Sequence, residues 1–137
     1  MAAAGYSGTP LWKKLGYRDG TAAFVPGSPA GYTRLLMLPS DVKVNWLKAP
    51  VAGMAIVHVF STSASSLKSS LKSLRRTIAV SGVISVSWPK KSSGVATDIT
   101  EDVIRDVALP MGLVDIKVCA VDEVWSGLKL MIRKKLR

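Results

Sequence analysis

Two short segments carry side chains that could hold or transfer a charged group. In Trp88-Pro-Lys-Lys91, two adjacent ammonium groups follow a rigid proline and an aromatic ring, which suits a phosphate or a carboxylate. In Asp122-Glu-Val-Trp-Ser126, two carboxylates could pair with those lysines or act as a general acid and base. The alternatives are a solvated loop tip and a capped turn in which Trp125 covers the core. The candidate ligand-binding residues are Trp88, Lys90, Lys91, Asp122, Glu123 and Trp125.

A β-α-β unit must position the first segment. Met54–Phe60 is a nearly continuous apolar run, as expected of a strand buried on both faces. Apolar residues then recur at helical spacing from Leu67 to Ile78, Gly82 ends the predicted helix, and residues 83–87 begin a second strand. Two strands joined in this way are parallel, and ligands of parallel sheets bind beyond the carboxyl ends of the strands. The lysine pair follows the second strand and is therefore predicted to lie at that edge.

The rest of the chain alternates between short helices and strands. Further helices are predicted over residues 10–15, 32–38 and from about 98, and strands over 21–25, 42–47, 113–121 and 128–132. Asp98-Ile-Thr-Glu101 has the spacing of a capping box, and the turn at 122–127 is short enough to make the last two strands antiparallel. If the strand over 113–121 is parallel to the central strands, this turn emerges at the edge that carries Trp88.

These elements predict an α/β protein with three layers. The sheet is mostly parallel, with flanking helices and a C-terminal antiparallel hairpin. Residues 1–137 form a single domain of ordinary size, and residues 1–9 are a loose N-terminal segment.

Composition favours a globular, cytoplasmic protein. Hydrophobic residues make up 48% of the chain, yet the longest apolar run is only as long as a strand, so no membrane-spanning helix is predicted. The N-terminus lacks the pattern of a secretion signal, and a single cysteine, Cys119, is compatible with a reducing compartment. With one histidine and one cysteine, a structural zinc site would need an unusual set of ligands, and we predict no metal.

The net charge of +10 favours anionic partners. Seven of the nine acids lie between residues 92 and 123, so the rest of the chain is strongly basic. Nucleic acid is a possible partner through the flank of the central helix and the basic tail at 133–137, although no recognisable reader motif accompanies the charge. Solubility and an ordinary solvated face explain the same charges. The basic residues of the helix flank are Lys68, Lys72, Arg75 and Arg76.

His58 and Cys119 are interpreted as core residues. His58 shares a face with Ile56 and Phe60 inside a buried strand, and the sequence places no serine or cysteine nucleophile beside it. A hydrogen-bonded core histidine is therefore favoured over a catalytic one. Cys119 lies within a predicted strand and is expected to be a small buried residue.

Four segments carry a resemblance to a known family. They are Gly5-Tyr-Ser-Gly-Thr-Pro-Leu-Trp-Lys-Lys-Leu-Gly16, Val86-Ser-Trp-Pro-Lys-Lys91, Thr97-Asp-Ile-Thr-Glu-Asp102 and Val118-Cys-Ala-Val-Asp-Glu-Val-Trp-Ser-Gly-Leu-Lys129. Together they span nearly the whole chain and resemble the bacterial family called domain of unknown function 3052, which implies no activity. The order of elements resembles a class I methyltransferase (Rossmann-like) fold shortened by about one β-α unit.

That second resemblance implies an S-adenosylmethionine site, which the chain does not match. Such enzymes use a glycine-rich loop after the first strand and an acidic residue at the end of the second. Here the loop is Pro26-Gly-Ser-Pro-Ala-Gly31, in which two prolines remove amide donors. The second strand ends in Trp46-Leu-Lys48, without an acid. We therefore predict no cofactor, and function must be argued from the site instead of the fold.

Three hypotheses about function follow. The first is a non-catalytic or degenerate methyltransferase-like module that binds a small anionic ligand or a protein partner at the carboxyl ends of the strands. The second is a basic protein associated with nucleic acid. The third is a small enzyme that uses Asp122 or Glu123 as acid and base. The sequence does not reveal the ligand, the oligomeric state or the pathway.

Overall fold

The computed structural model describes residues 8–137. Of the segment predicted to be loose, residues 1–7 lie outside the described residues. The strands are β1 (Ala22–Phe24), β2 (Asn45–Leu47), β3 (Met54–Phe60), β4 (Ile78–Pro89), β5 (Leu113–Val118) and β6 (Trp125–Ile132). The α-helices are α1 (Leu11–Leu15), α2 (Tyr32–Leu36), α3 (Ala64–Thr77) and α4 (Glu101–Ala108), and 3₁₀ turns cover Lys91–Ser93, Leu109–Met111 and Lys134–Leu136.

The six strands form one sheet in the order β2-β1-β3-β4-β6-β5. Strands β1 to β4 pair in parallel. Strand β6 is antiparallel to both β4 and β5, so β5 runs in the same direction as the central strands. The prediction of a mostly parallel sheet that ends in an antiparallel hairpin is confirmed.

The helices cover the two faces of this sheet. Side chains of β3 alternate between them, because successive residues of a strand point to opposite faces. Val57 and Val59 pack with the buried leucines of α3 and with α4, on what we call the α3–α4 face. Ile56 and Phe60 pack with α1 and α2, on the α1–α2 face. The protein therefore has the three layers that the sequence predicts.

Helix α3 ends earlier than predicted. Its last residue is Thr77, and Ile78 already has extended backbone angles and lies opposite Met54 in β4. Gly82, predicted to end the helix, lies inside β4, where the register with β3 is irregular. A Cβ atom at Gly82 would lie 2.6 Å from Cγ1 of Ile78. The glycine is thus explained by close packing within a bulged strand, which glycine tolerates best.

The predicted capping box at residues 98–101 is also wrong. Helix α4 begins at Glu101, and its N-cap is Thr100, whose hydroxyl accepts a hydrogen bond from the amide of Val103. Asp98 serves another helix, since its carboxylate accepts the amide of Ala64 at 2.7 Å. The carboxylate therefore lies at the N-terminus of α3, where the helix dipole and the unpaired amides favour negative charge.

Several element bounds differ from the predicted ones. Strand β2 begins at Asn45 instead of residue 42, and α2 ends at Leu36. Strand β5 ends at Val118 and β6 begins at Trp125, so Trp125 belongs to a strand and not to the predicted turn. Within residues 8–137, no helix combines the length and the apolar character needed to cross a membrane.

Candidate functional site

Two candidate segments meet at the carboxyl edge of the sheet. Pro89 lies opposite Trp125, at the point where β4 ends and β6 begins. One residue beyond, the amide of Lys90 donates a 2.7 Å hydrogen bond to the carbonyl of Val124. The sequence predicted that Trp88 and the segment around residue 122 share an edge, and the pairing confirms this geometry.

The two indoles do not form one surface. Trp88 is opposite Ser126 and Trp125 is opposite Pro89, so the two rings are one position out of step and point to opposite faces. Trp88 is 7% exposed and packs in the core of the α3–α4 face, which leaves almost no ring surface for a ligand. Trp125 packs edge-on against Phe60 on the α1–α2 face, with ring centroids 5.1 Å apart.

The lysines and the carboxylates of this edge are not paired with each other. The three ion pairs found among residues 8–137 all belong to Arg105. Asp122 instead stabilises its own turn, because one carboxylate oxygen accepts the amides of Val124 and Trp125 at 2.9 and 2.8 Å. Glu123 and Lys91 are exposed. The edge therefore offers solvated charges beside a rigid turn.

A buried polar chain on the α1–α2 face was not predicted. The hydroxyl of Tyr17 lies 2.7 Å from that of Tyr32, which lies 2.8 Å from Nδ1 of His58. Nε2 of His58 lies 2.7 Å from the hydroxyl of Ser87. The prediction of a hydrogen-bonded core histidine is confirmed, but the expectation that no serine lies beside it is wrong. Ser87 lies opposite Phe60 in the neighbouring strand, so its side chain points to the same face as His58. The sequence shows both strands but not the register that aligns them.

Burial sets the protonation states in this chain of groups. It lowers the pKa of His58 to about 3 and raises that of Tyr17 to about 12. It also raises the pKa of Tyr32, as does the neighbouring Tyr17. At neutral pH the imidazole is uncharged, so one nitrogen donates a hydrogen bond and the other accepts one. His58 and Ser87 are completely buried, so the pair has no access to a substrate in this structure.

The loop after β1 is packed against the end of β3. The amide of Phe60 donates to the carbonyl of Pro26 at 3.1 Å. Gly27 has a φ of +73°, and a Cβ atom there would lie 2.6 Å from the carbonyl oxygen of Phe60. The glycine allows the loop to approach the protein's own backbone closely. The loop thus closes part of the crevice between β1 and β3, where α/β folds commonly bind ligands.

A groove of about 330 Å³ remains beside this loop, at the carboxyl ends of β1 and β2. Tyr32 and Trp46 line it, with ring centroids 6.1 Å apart, and neither an aspartate nor a glutamate does. Within the part of the chain that the structure describes, no group of three or more His, Cys, Asp or Glu side chains could hold a metal ion. The side chains that this groove offers to a ligand are therefore aromatic, aliphatic and hydroxyl-bearing.

The fold is that of S-adenosylmethionine-dependent methyltransferases. A methyltransferase from Aquifex aeolicus matches with a TM-score of 0.61 and 16% identity, over 88% of this chain and 86% of that one. An O-methyltransferase of neocarzinostatin biosynthesis, in complex with S-adenosylmethionine, matches with a TM-score of 0.64 and 13% identity, over 88% of this chain but only 50% of that one. The ribosomal protein L11 methylase of Lactobacillus delbrueckii subsp. bulgaricus matches with a TM-score of 0.54 and 10% identity, over 89% and 74%.

At these identities the likeness establishes a methyltransferase-like fold and leaves activity open. No protein-family model matches the chain, and a search of curated proteins gave no match. The resemblance to domain of unknown function 3052 therefore stays a prediction.

The cofactor that this fold implies does not fit the residues present. The loop after β1 contributes two prolines without amide donors, and Gly27 is used for contact with Phe60. Among the described residues, no carboxylate lines the groove at the ends of β1 and β2, so it lacks the charged acceptor that such folds use for the ribose hydroxyls. We derive no chemical step through S-adenosylmethionine.

Proposed function

We propose that the protein is a degenerate methyltransferase-like module that binds a small anionic ligand, or a partner, at the carboxyl edge of its sheet. The observation that carries the proposal is the partial closure of the crevice between β1 and β3 by the protein's own loop, at Gly27 and Phe60. A fold that keeps its sheet and helices but narrows this crevice, without a carboxylate beside it, is poorly suited to the usual cofactor. The protein would then bind its ligand at another point of the same edge.

Lys90 and Lys91 are the residues proposed to hold the anion. The hydrogen bond from the amide of Lys90 to Val124 fixes the start of their loop against β6. The hydroxyl of Ser93 donates to the carbonyl of Lys90 at 2.6 Å and ties the following turn. Two cations on a fixed backbone lose less entropy on binding than cations on a mobile loop.

The other four candidate residues take supporting roles in this proposal. Asp122 fixes the turn that faces the lysines, and Trp88 and Trp125 pack on either face of the sheet beneath them. Glu123 is exposed and would select against ligands that bring negative charge to its side of the edge.

A panel of small anions tests this site by thermal shift, because a ligand that binds only the folded state raises the melting temperature. We expect a phosphorylated or carboxylated compound from the panel to stabilise the protein, and the K90A/K91A double variant to lose that shift. The matched control is K134A/K135A, which removes two adjacent exposed lysines from the C-terminal 3₁₀ turn. Equal shifts in wild type and K90A/K91A would refute the site.

A second candidate function, contact with nucleic acid, is favoured by one observation. The basic end of α3 and the basic C-terminus meet near Gly112, where an added Cβ atom would lie 3.6 Å from Nη2 of Arg75 and 2.5 Å from Cδ1 of Leu136. The amide of Arg133 also donates to the carbonyl of Gly112. Two cationic segments that are distant in sequence thus form one surface, as an electrostatic footprint for phosphates requires.

Heparin affinity and salt dependence test this second candidate. Replacing Lys68, Lys72 and Arg76 with alanine should lower the salt concentration at which the protein elutes from heparin. Arg75 is kept, because its Nε donates to the carbonyl of Met111 and its loss would disturb the fold. An unchanged elution would exclude this surface, and K90A/K91A, which removes two positive charges elsewhere, serves as the comparison.

The enzyme hypothesis receives no support from the edge, since the carboxylate of Asp122 already accepts hydrogen bonds within its own turn.

We further propose a cytoplasmic location, because the single cysteine is a buried free thiol. Cell fractionation tests this, and recovery from an extracytoplasmic fraction would contradict it.

A further inference from the structure

A second basic site lies between α1 and the β5–β6 hairpin, away from Lys90 and Lys91. It is a pocket of about 450 Å³ on the α1–α2 face of the sheet. Its walls include Lys13 and Lys14 from α1, and Lys117 and Lys129 from the hairpin. Four cationic side chains from three different elements therefore surround one concavity.

No carboxylate lines this pocket. The ion pairs of residues 8–137 are formed by Arg105, on the other side of the sheet. Nζ of Lys13 instead lies 5.5 Å from the ring centroid of Trp12. Among the described residues, no acid in the walls neutralises Lys117 or Lys129.

Lys129 is held in place by the fold. Its ammonium group donates a 2.9 Å hydrogen bond to the carbonyl of Lys14, which lies 115 residues away in the sequence. It also lies directly opposite Lys117 in the hairpin. Like charges opposite each other in a sheet destabilise it, and partial burial lowers the pKa of Lys129. An anion between the two lysines would relieve both effects.

Ser85 is a neighbour of Lys129 in the sheet, although it does not line the pocket itself. It lies opposite Lys129 on the other neighbouring strand, so both side chains point to the same face of the sheet. Ser85 is 2% exposed, and its hydroxyl has no hydrogen-bond partner among the described residues. Such buried hydroxyls are uncommon in proteins, and this one adds a polar group beside Lys129 on the same face.

We propose that this pocket binds a small phosphorylated molecule with at least two negative charges. Lysine ammonium groups bind phosphoryl oxygens as point charges, and several of them around one concavity favour a multiply charged anion. The volume is within the usual range for small-molecule sites and exceeds the need of a bare inorganic phosphate. A concave site between a helix and a hairpin suits a compact ligand better than a nucleic acid duplex, which needs a broad basic surface.

Inorganic pyrophosphate is the probe that tests the site on the full chain. We expect saturable binding by isothermal titration calorimetry, weakened at least tenfold in the K117Q/K129M double variant. The single variant K117Q changes only an exposed side chain, so its reduced affinity would support the site even if K129M impaired folding. In an NMR titration of the lysine ammonium groups, pyrophosphate should raise the pKa of Lys129.

The charge-matched control is K43A/K48A, which removes two exposed lysines outside both proposed anion sites. We expect it to bind pyrophosphate within twofold of wild type. An equal loss in both double variants would show nonspecific attraction by the net charge and would overturn the proposal. Absence of saturable binding, or tight binding of duplex nucleic acid that K117Q/K129M abolishes, would also overturn it.

Discussion

The two faces of the sheet differ in how they are built. On the α3–α4 face, leucine, isoleucine and valine side chains fill the core, and the charged groups of Arg105 and its three carboxylate partners stay at the rim. On the α1–α2 face, a chain of tyrosine, histidine and serine side chains is buried, and a lysine-lined pocket opens beside it. Buried polar groups stabilise a fold only when they are fully paired, whereas aliphatic packing stabilises it without that condition. The comparison indicates that aliphatic packing dominates one face, whereas the other also depends on buried polar groups that must be paired.

The largest effect is expected from a cavity on the α3–α4 face. Leu71 is completely buried between α3 and the sheet. L71A should lower the free energy of unfolding by about 2–5 kcal/mol, as large-to-small core changes do. Denaturant unfolding measures the loss, and the exposed neighbour gives the control, since K72A should stay within about 0.5 kcal/mol of wild type. A small loss in L71A would contradict the assignment of this face as the main core.

The next effect concerns the loop that closes the crevice. Gly27 and Gly94 have φ angles of +73° and +75°, but only Gly27 has an atom near its missing Cβ. G94A should therefore lower the free energy of unfolding by the backbone strain alone, about 1–2 kcal/mol. G27A should lower it by about 1–3 kcal/mol more, because its Cβ overlaps the carbonyl of Phe60. Equal losses in denaturant unfolding would show that the loop does not pack closely on β3.

A smaller, pH-dependent effect is expected on the α1–α2 face. The pKa of His58 is about 3 in the folded protein, against about 6.5 when unfolded. Its contribution to stability is complete above pH 6.5 and is lost as the pH falls toward 3, because only the unfolded state takes up the proton. Between pH 7 and pH 5 the free energy of unfolding should fall by about 2 kcal/mol more in wild type than in H58Q. Parallel pH profiles of the two proteins would contradict a buried neutral histidine.

The features that depend on local sequence could be predicted, whereas those that depend on contacts between distant segments could not. The β-α-β unit, the strand directions and the shared edge of Trp88 and residue 122 depend on local periodicity and chain order, which are visible in the sequence. The opposite facing of Trp88 and Trp125 depends on a register offset of one residue, which the sequence leaves open. The contact of Lys129 with Lys14 joins positions 115 residues apart, and no spacing signals it.

Capping residues were misassigned for a related reason. Asp98 has the right spacing to begin α4, yet it pairs with the amide of Ala64 because the fold brings the N-terminus of α3 beside it. Local rules describe which side chains can cap a helix, and tertiary structure decides which helix they cap.

The central claim is that this methyltransferase-like fold has lost its usual cofactor site. Isothermal titration calorimetry of the full chain with S-adenosylmethionine, and with its demethylated product, tests it most directly. The closed loop at Gly27 and the absence of a carboxylate beside Trp46 predict no saturable binding at micromolar concentrations of either compound. Micromolar affinity for either one would contradict the claim and show that the fold keeps a working cofactor site.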